Sequence, residues 1–340
     1  MLVKPLRLIG MQPKSLIGKY INNRLSCYYP NWNEIELETS VLITIAPYEL
    51  ESIKSALRAD FSISVLDGVF DFANSFYHPF FEGKNYKLYF PAINDAVLCF
   101  GKKESRYIKS LNDNIMVKTY IPSYIKKTQE KADDFNNENA KYDVMLTTAN
   151  TAYFNDEEFV KVVRYLNETT KILQSAGYSV CYRIFDQKIL ESLVFKDVCN
   201  ITTGSFVDSA KNTKCIFTTP STLAVESMIL GIPTATFIYR NTPLTTQTGW
   251  IIYDLASVMD VVESMLSNDN DRLLIQKVLL ENYIYSEVNE LTEEEIRNLI
   301  GNTVTEKKEK YNSFAESVLL SRWNFNIKFF IKRWFYKIKG

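Results

Sequence analysis

Between Cys215 and Phe237 the chain reads CIFTTPSTLAVESMILGIPTATF, a stretch whose hydroxyl and carboxyl groups are spaced to do chemistry together. Thr218, Thr219, Ser221 and Thr222 offer up to four small hydroxyls where an apolar strand gives way to a helix. The first turn of a helix leaves backbone N–H groups without internal partners and carries partial positive charge. A helix starting near Ser221 or Thr222 would therefore present a ready site for an anion such as a phosphate. The small side chains leave room for a diphosphate. Glu226 follows about one turn further on, where its carboxylate can accept hydrogen bonds from the paired sugar hydroxyls of a nucleotide. Gly231 then ends the helix and Pro233 prevents its continuation. The same residues also have a purely structural use: Ser or Thr before a helix commonly caps it, and Gly-Ile-Pro commonly stops one.

Such a strand, turn and helix must be held by a sheet, and the rest of the chain supplies the pattern for one. Short β-rich runs alternate with longer helical ones, the signature of parallel βαβ units. In the first half LRLIG (6–10), VLITIAP (41–47), SISVLDG (62–68) and DAVLCFG (95–101) are the apolar runs, with helical segments following several of them. TQEKADDFNNENAKY (128–142) is almost wholly polar and reads as a linker. A second alternation opens with DVMLTTA (143–149), followed by a helix from about Asp156 to Ser175 that Gly177 is placed to stop. YSVCYRIF, KCIFTTP and IPTATFIYR continue it. The expected fold class is α/β, with two Rossmann-like domains: residues 1–127 and 143–270 joined by the linker 128–142. Helices over 271–320 and a basic aromatic tail over 321–340 complete the chain.

At 340 residues the chain is comfortable for two lobes, since single cores stop growing near about 250–300 residues. The formal net charge of −1 argues against a surface that neutralises many phosphates along a nucleic acid. The five cysteines form no CxxC pair and mostly lie in apolar runs such as AVLCF and KCIF. They read as reduced core residues of a cytoplasmic protein. The start, MLVKPLRLIGMQPK, is broken by charge and Pro5 and is not expected to be a secretory signal. No apolar run reaches the roughly 18 residues needed to span a membrane.

The stretch TPSTLAVESMILGIPTATF resembles the donor-site strand and helix in the C-terminal domain of GT-B glycosyltransferases, in which a Ser/Thr-rich turn precedes a helix bearing Glu and ending in Gly-x-Pro. Enzymes of capsule, teichoic-acid and lipopolysaccharide assembly have that fold. The resemblance implies two Rossmann-like domains facing a cleft, with Thr219, Ser221 and Thr222 toward the donor phosphates and Glu226 toward the ribose. Thr147 and Thr148, at the end of the first strand of the second domain, would face the same cleft. Arg183, ending YSVCYR, could pair with a phosphate or form a surface ion pair. Relatives often carry His-Pro after that strand where this chain has Ile184 and Phe185, which leaves the donor type open.

The same resemblance places SISVLDGVFDFANSFYHPFF (62–81) opposite the donor, in the acceptor lobe. An inverting transfer needs a base for the acceptor hydroxyl, and Asp67 is the first candidate, His78 the second. Asp-Gly is also a common turn, and a His before Pro can cap a loop. A retaining mechanism would need no such base. No metal or other cofactor is expected: the only Asp-x-Asp triplet, Asp269-Asn270-Asp271, is placed to cap the following helix.

The tail, SRWNFNIKFFIKRWFYKIKG, carries six Lys or Arg, seven aromatics and no acid. On a helix Trp323, Ile327, Phe330, Ile331, Trp334 and Ile338 share one face, the composition of an interfacial helix on an anionic membrane. The alternative is a final helix packed on the first lobe. The sequence thus points to a peripheral glycosyltransferase at the inner face of the membrane, moving a sugar from a nucleotide-sugar to a lipid-linked saccharide. Polyol-phosphate transfer, epimerisation of a nucleotide-sugar, or a non-catalytic membrane-associated scaffold would use the same fold.

Overall fold

A computed structural model describes residues 7–10, 27–28, 40–45, 59–79, 87–90, 92–112, 115–244, 246–288 and 291–301, with single positions 47, 52, 56 and 82. The tail at 321–340 lies outside the described residues. β1 (Arg7–Gly10), β2 (Cys27–Tyr28), β3 (Ser40–Thr44), β4 (Phe61–Val69), β5 (Ala96–Phe100) and β6 (Met116–Thr119) form one parallel sheet in the order β2-β1-β3-β4-β5-β6. β7 (Tyr142–Thr147), β8 (Val180–Arg183), β9 (Thr213–Thr218), β10 (Thr234–Phe237) and β11 (Trp250–Ile252) form a second, in the order β11-β10-β9-β7-β8. Strands covered on both faces must be apolar throughout, and every residue of β5 is buried.

The helices whose bounds lie within the described residues are α1 (Phe72–Tyr77), α2 (Lys102–Ser110), α3 (Ser123–Glu130), α4 (Asp156–Ser175), α5 (Gln187–Ser192), α6 (Phe206–Ala210), α7 (Thr222–Ile229), α8 (Val258–Leu266), α9 (Asn270–Ile284) and α10 (Glu293–Gly301). Among them, none is long and apolar enough to cross a membrane. Local chemistry sets their ends. Asn155 caps α4 by accepting from Glu158 N at 2.8 Å, three acids fill its first turn where the helix dipole favours them, and Gly177 at φ +87 follows its end. Asp269 caps α9 through the backbone N–H groups of Asp271 and Arg272.

Each sheet has its own core. Val144, Leu146, Phe217, Phe237 and Trp250 pack with Leu166, Leu173 and Val262 in the second lobe. Val41, Ile43, Ile63, Val65 and Leu98 pack in the first with Val288, Ile296 and Leu299. After the second sheet the chain therefore returns to the first lobe by residue 288. On the way Gln276 of α9 donates to Ile232 O at 2.9 Å and accepts from Thr234 N at 3.0 Å, and Tyr283 donates its hydroxyl to the buried Glu104 at 2.8 Å. Glu287 then accepts from Thr119 N at 2.9 Å. Between the lobes, α7 contributes Val225 and Met228 to a small core with Phe100, Ile121, Ile125 and Tyr283.

Three details depart from expectation. β4 runs to Val69, so Asp67 and Gly68 lie inside a strand and not in a turn. MVKT (116–119) is a sixth strand. Cys99, Cys181 and Cys215 are buried free thiols, but Cys199 is exposed because its segment meets the sheet through a single bridge, Asn200 to Tyr182.

Candidate functional site

In a parallel sheet of order 2-1-3-4-5, the connections leaving the first and third strands diverge and open a crevice at their carboxyl ends. In the second lobe those strands are β7 and β9, ending in Thr147 and Thr218. Thr147, Arg183 and Thr219 are bonded to one another at these strand ends. Thr219 N donates to Thr147 O at 3.3 Å, Ala149 N donates to Thr219 Oγ1 at 2.7 Å, and Thr147 Oγ1 donates to Arg183 O at 2.8 Å. Thr148 is buried beside them. The hydroxyls of Thr147 and Thr219 thus tie three strand ends together and take backbone partners.

Ser221 is the residue before α7, extended at φ −164, and its side chain makes no capping bond. Its Oγ lies 3.3 Å from Thr218 Oγ1 instead. The purely structural use of Ser221 as a helix cap is therefore not what the protein makes of it, and the first turn of α7 keeps its anion-binding character. The Thr222 hydroxyl accepts from Val69 N of the other lobe at 3.0 Å.

Glu226 is half-buried one turn along α7, where Thr128 of α3 donates to Oε1 at 3.2 Å. Burial raises its carboxyl to about 7, against the opposing pull of Thr128 and the Arg183 charge. Arg183 is buried and, among the described residues, forms no ion pair. The segment 201–209 covers the end of β8, and the guanidinium donates to Ile201 O at 2.7 Å, Ser209 Oγ at 2.8 Å and Gly204 O at 3.4 Å. Its burial holds its pKa below the usual arginine range, with Glu226 the main charge opposing that shift.

Across the cleft, the register of β4 against β5 slips between Val65 and Val69, and Asp67 lies in this irregular end. Tyr124 of α3 donates its hydroxyl to Asp67 O at 3.2 Å. The Asp67 side chain is open to solvent, yet the walls of the cleft crowd its carboxyl and raise its pKa. Gly68 makes the approach possible, because a Cβ there would stand 2.2 Å from Thr222 Oγ1. Gly68→Ala is accordingly expected to force β4 off α7 and destabilise the protein by about 1–3 kcal/mol, the usual cost of overpacking. Chemical denaturation measures this, and an unchanged midpoint would show that the lobes do not meet here. His78 is the residue that follows α1, with its ring 5.3 Å from that of Phe154.

No protein-family model matches the sequence, and no curated protein matches it. Among solved structures, the wall teichoic acid polymerase TagF is similar with a TM-score of 0.50 at 13% identity, over 90% of this chain and 83% of that one. The chain has the GT-B fold. A UDP-GlcNAc 2-epimerase from Methanocaldococcus jannaschii, solved with UDP-GlcNAc and UDP, is similar at a TM-score of 0.49 and 15% identity, over 71% of this chain and 75% of that one. TarM is similar at 0.48 and 15% identity over 78% of this chain, which spans 55% of the length of TarM.

The GT-B cleft also holds a cluster that sequence reasoning missed. Arg240, three residues past β10, is buried between Asp71 Oδ2 at 3.0 Å and Glu158 Oε2 at 3.2 Å, and donates to Thr151 O at 3.0 Å. Beside it, Tyr239 donates its hydroxyl to Ala152 O. Val69, Asp71, Pro220, Tyr239 and Arg240 line one pocket at the seam of the lobes. The available signal was an Arg closing an apolar strand, IPTATFIYR, just as Arg183 closes YSVCYR.

Proposed function

We propose that the protein is a GT-B glycosyltransferase that moves a sugar from a nucleotide-sugar donor to a lipid-linked saccharide acceptor in surface-polysaccharide assembly. The observation that carries this reading is the amino terminus of α7, which lacks a side-chain cap, stands at the switch point of the second sheet and faces the end of β4 that bears Asp67. On this reading the first-turn N–H groups of α7 and the Ser221 hydroxyl bind the donor phosphates. Glu226 accepts from the ribose, and Asp67 takes the proton of the acceptor hydroxyl. Negative charge growing on the leaving diphosphate is met by fixed N–H dipoles, so the reaction needs no metal ion. TagF, whose fold the chain shares, is a wall teichoic acid polymerase, which supports a surface polymer as the product. The basic aromatic segment 321–340 supports peripheral attachment at the inner face of the membrane, where a lipid-linked acceptor would be met.

Calorimetric titration of the purified protein with UDP, CMP, CDP and GDP tests the donor site. One nucleotide is expected to bind with micromolar affinity and so to name the donor class. Binding of none would overturn the assignment of α7 as a donor site and leave a non-catalytic scaffold in its place.

A further inference from the structure

Two bonds from residues 69–71 of the first lobe cross the seam to the second: Val69 N donates to Thr222, and Asp71 Oδ2 accepts from Arg240. The second differs in kind. The Arg240 side chain is 5% exposed, with Asp71 at 22% and Glu158 at 17%, so three charges meet largely out of water. The guanidinium gives one donor each to Asp71, Glu158 and Thr151, three separate segments, while Phe154 lies under it at 4.6 Å. Only a planar fork can do this, since an ammonium is a single point of charge. Asp71 divides its oxygens: Oδ1 accepts from Ala73 N and caps α1, while Oδ2 reaches the other lobe.

We propose that Arg240 is a positioning residue that clasps Asp71 of one lobe to Glu158 of the other and so fixes the end of β4, with Asp67, over the amino terminus of α7. This rests on the glycosyltransferase reading above. The pocket lined by Val69, Asp71, Pro220 and Arg240 places the clasp directly beside the residue that precedes Ser221. The Asp71 end can be released alone. Asn caps a helix as well as Asp does, so Asp71→Asn preserves α1 and the Arg240–Glu158 pair while removing the charge that crosses the seam.

The test uses the full chain with Asp71→Asn and, separately, Arg240→Lys. Nucleotide affinity, kcat and donor KM are measured together with small-angle X-ray scattering. A misplacement of about 1 Å at the reacting groups can cost about 10²-fold in rate. The expected result is a kcat lower by about that factor, nucleotide Kd within about two-fold of the unmodified protein, and a larger radius of gyration. Asp71→Glu, which restores the charge, is expected to recover part of the rate. Unchanged kcat in both variants would overturn the clasp. So would equal losses of affinity and kcat, which would make Arg240 a ligand contact. If the unmodified protein neither binds a nucleotide nor transfers a sugar, the functional reading has failed on its own. The clasp is then decided by scattering, and an unchanged profile for Asp71→Asn refutes it.

Discussion

Asp67→Asn is expected to lower turnover by about 10²- to 10⁴-fold, the range that a general base contributes, and to leave nucleotide affinity as it was. Asn has the shape of Asp and keeps its hydrogen-bonding capacity, but it cannot take a proton. On the proposed reading the role falls to Asp67 because it lies in the irregular end of β4, one residue before Gly68 and two before the N–H that bonds Thr222 at the start of α7. Crowding by the cleft walls raises its pKa above the ordinary 3.8, which brings a carboxylate base closer to working pH. The sign follows directly: the base works as carboxylate, so kcat/KM rises with pH on a limb displaced upward from 3.8, and the Asn variant loses that limb. A pH series of kcat/KM on both proteins checks it. Full activity in Asp67→Asn would remove Asp67 from the mechanism. A loss in His78→Gln without one in Asp67→Asn would give the role to His78.

What could be read from the sequence was what local chemistry decides. A helix over 156–175 follows from Asn155, three acids and Gly177, all within one segment. The start of α7 at Thr222 follows from small hydroxyls after an apolar strand, and its stop from Gly231. The parallel α/β class follows from buried strands that alternate with helices. Direction and partnership across the chain were not legible. Nothing near Thr222 says that its hydroxyl turns to Val69, 153 residues away, or that Arg240 finds Asp71 at a separation of 169. The partners of Arg183 stayed open between a phosphate and a surface ion pair because no local signal shows that residues 201–209 fold against the end of β8. β6 escaped notice because it is four residues long and contains a Lys.

These long-range partners share a consequence. The groups that local patterns mark for a ligand, Ser221 and Glu226, lie just before α7 and on it. The groups invisible to local patterns, Val69, Thr128 and Arg240, connect α7 and its surroundings to the first lobe and α3. A substitution in the first set should therefore act on affinity. One in the second should act on the alignment of the lobes, which separates KM from kcat in the way uniform and transition-state interactions do.

Glu226 gives the other large effect, and its sign is set by burial. Its carboxyl is raised from 4.5 to about 7, so near neutral pH the unliganded protein holds it partly protonated. Ribose hydroxyls donating to it favour the carboxylate, so nucleotide binding should release a proton and tighten as pH rises through about 7. Stability of the unliganded protein runs the opposite way. A raised acid favours the protonated fold, so its contribution is complete below 4.5 and is lost as pH climbs through about 7. Glu226→Gln keeps the neutral form, and is expected to hold that stability across the window while abolishing the pH dependence of affinity. Glu226→Ala removes the acceptor and should weaken nucleotide binding by roughly 10- to 100-fold for each hydrogen bond lost. Calorimetry in buffers of different ionisation enthalpy measures affinity and proton release in one experiment. Affinity independent of pH in the unmodified protein, or undiminished in Glu226→Ala, would place the ribose elsewhere and leave Glu226 as the partner of Thr128 alone.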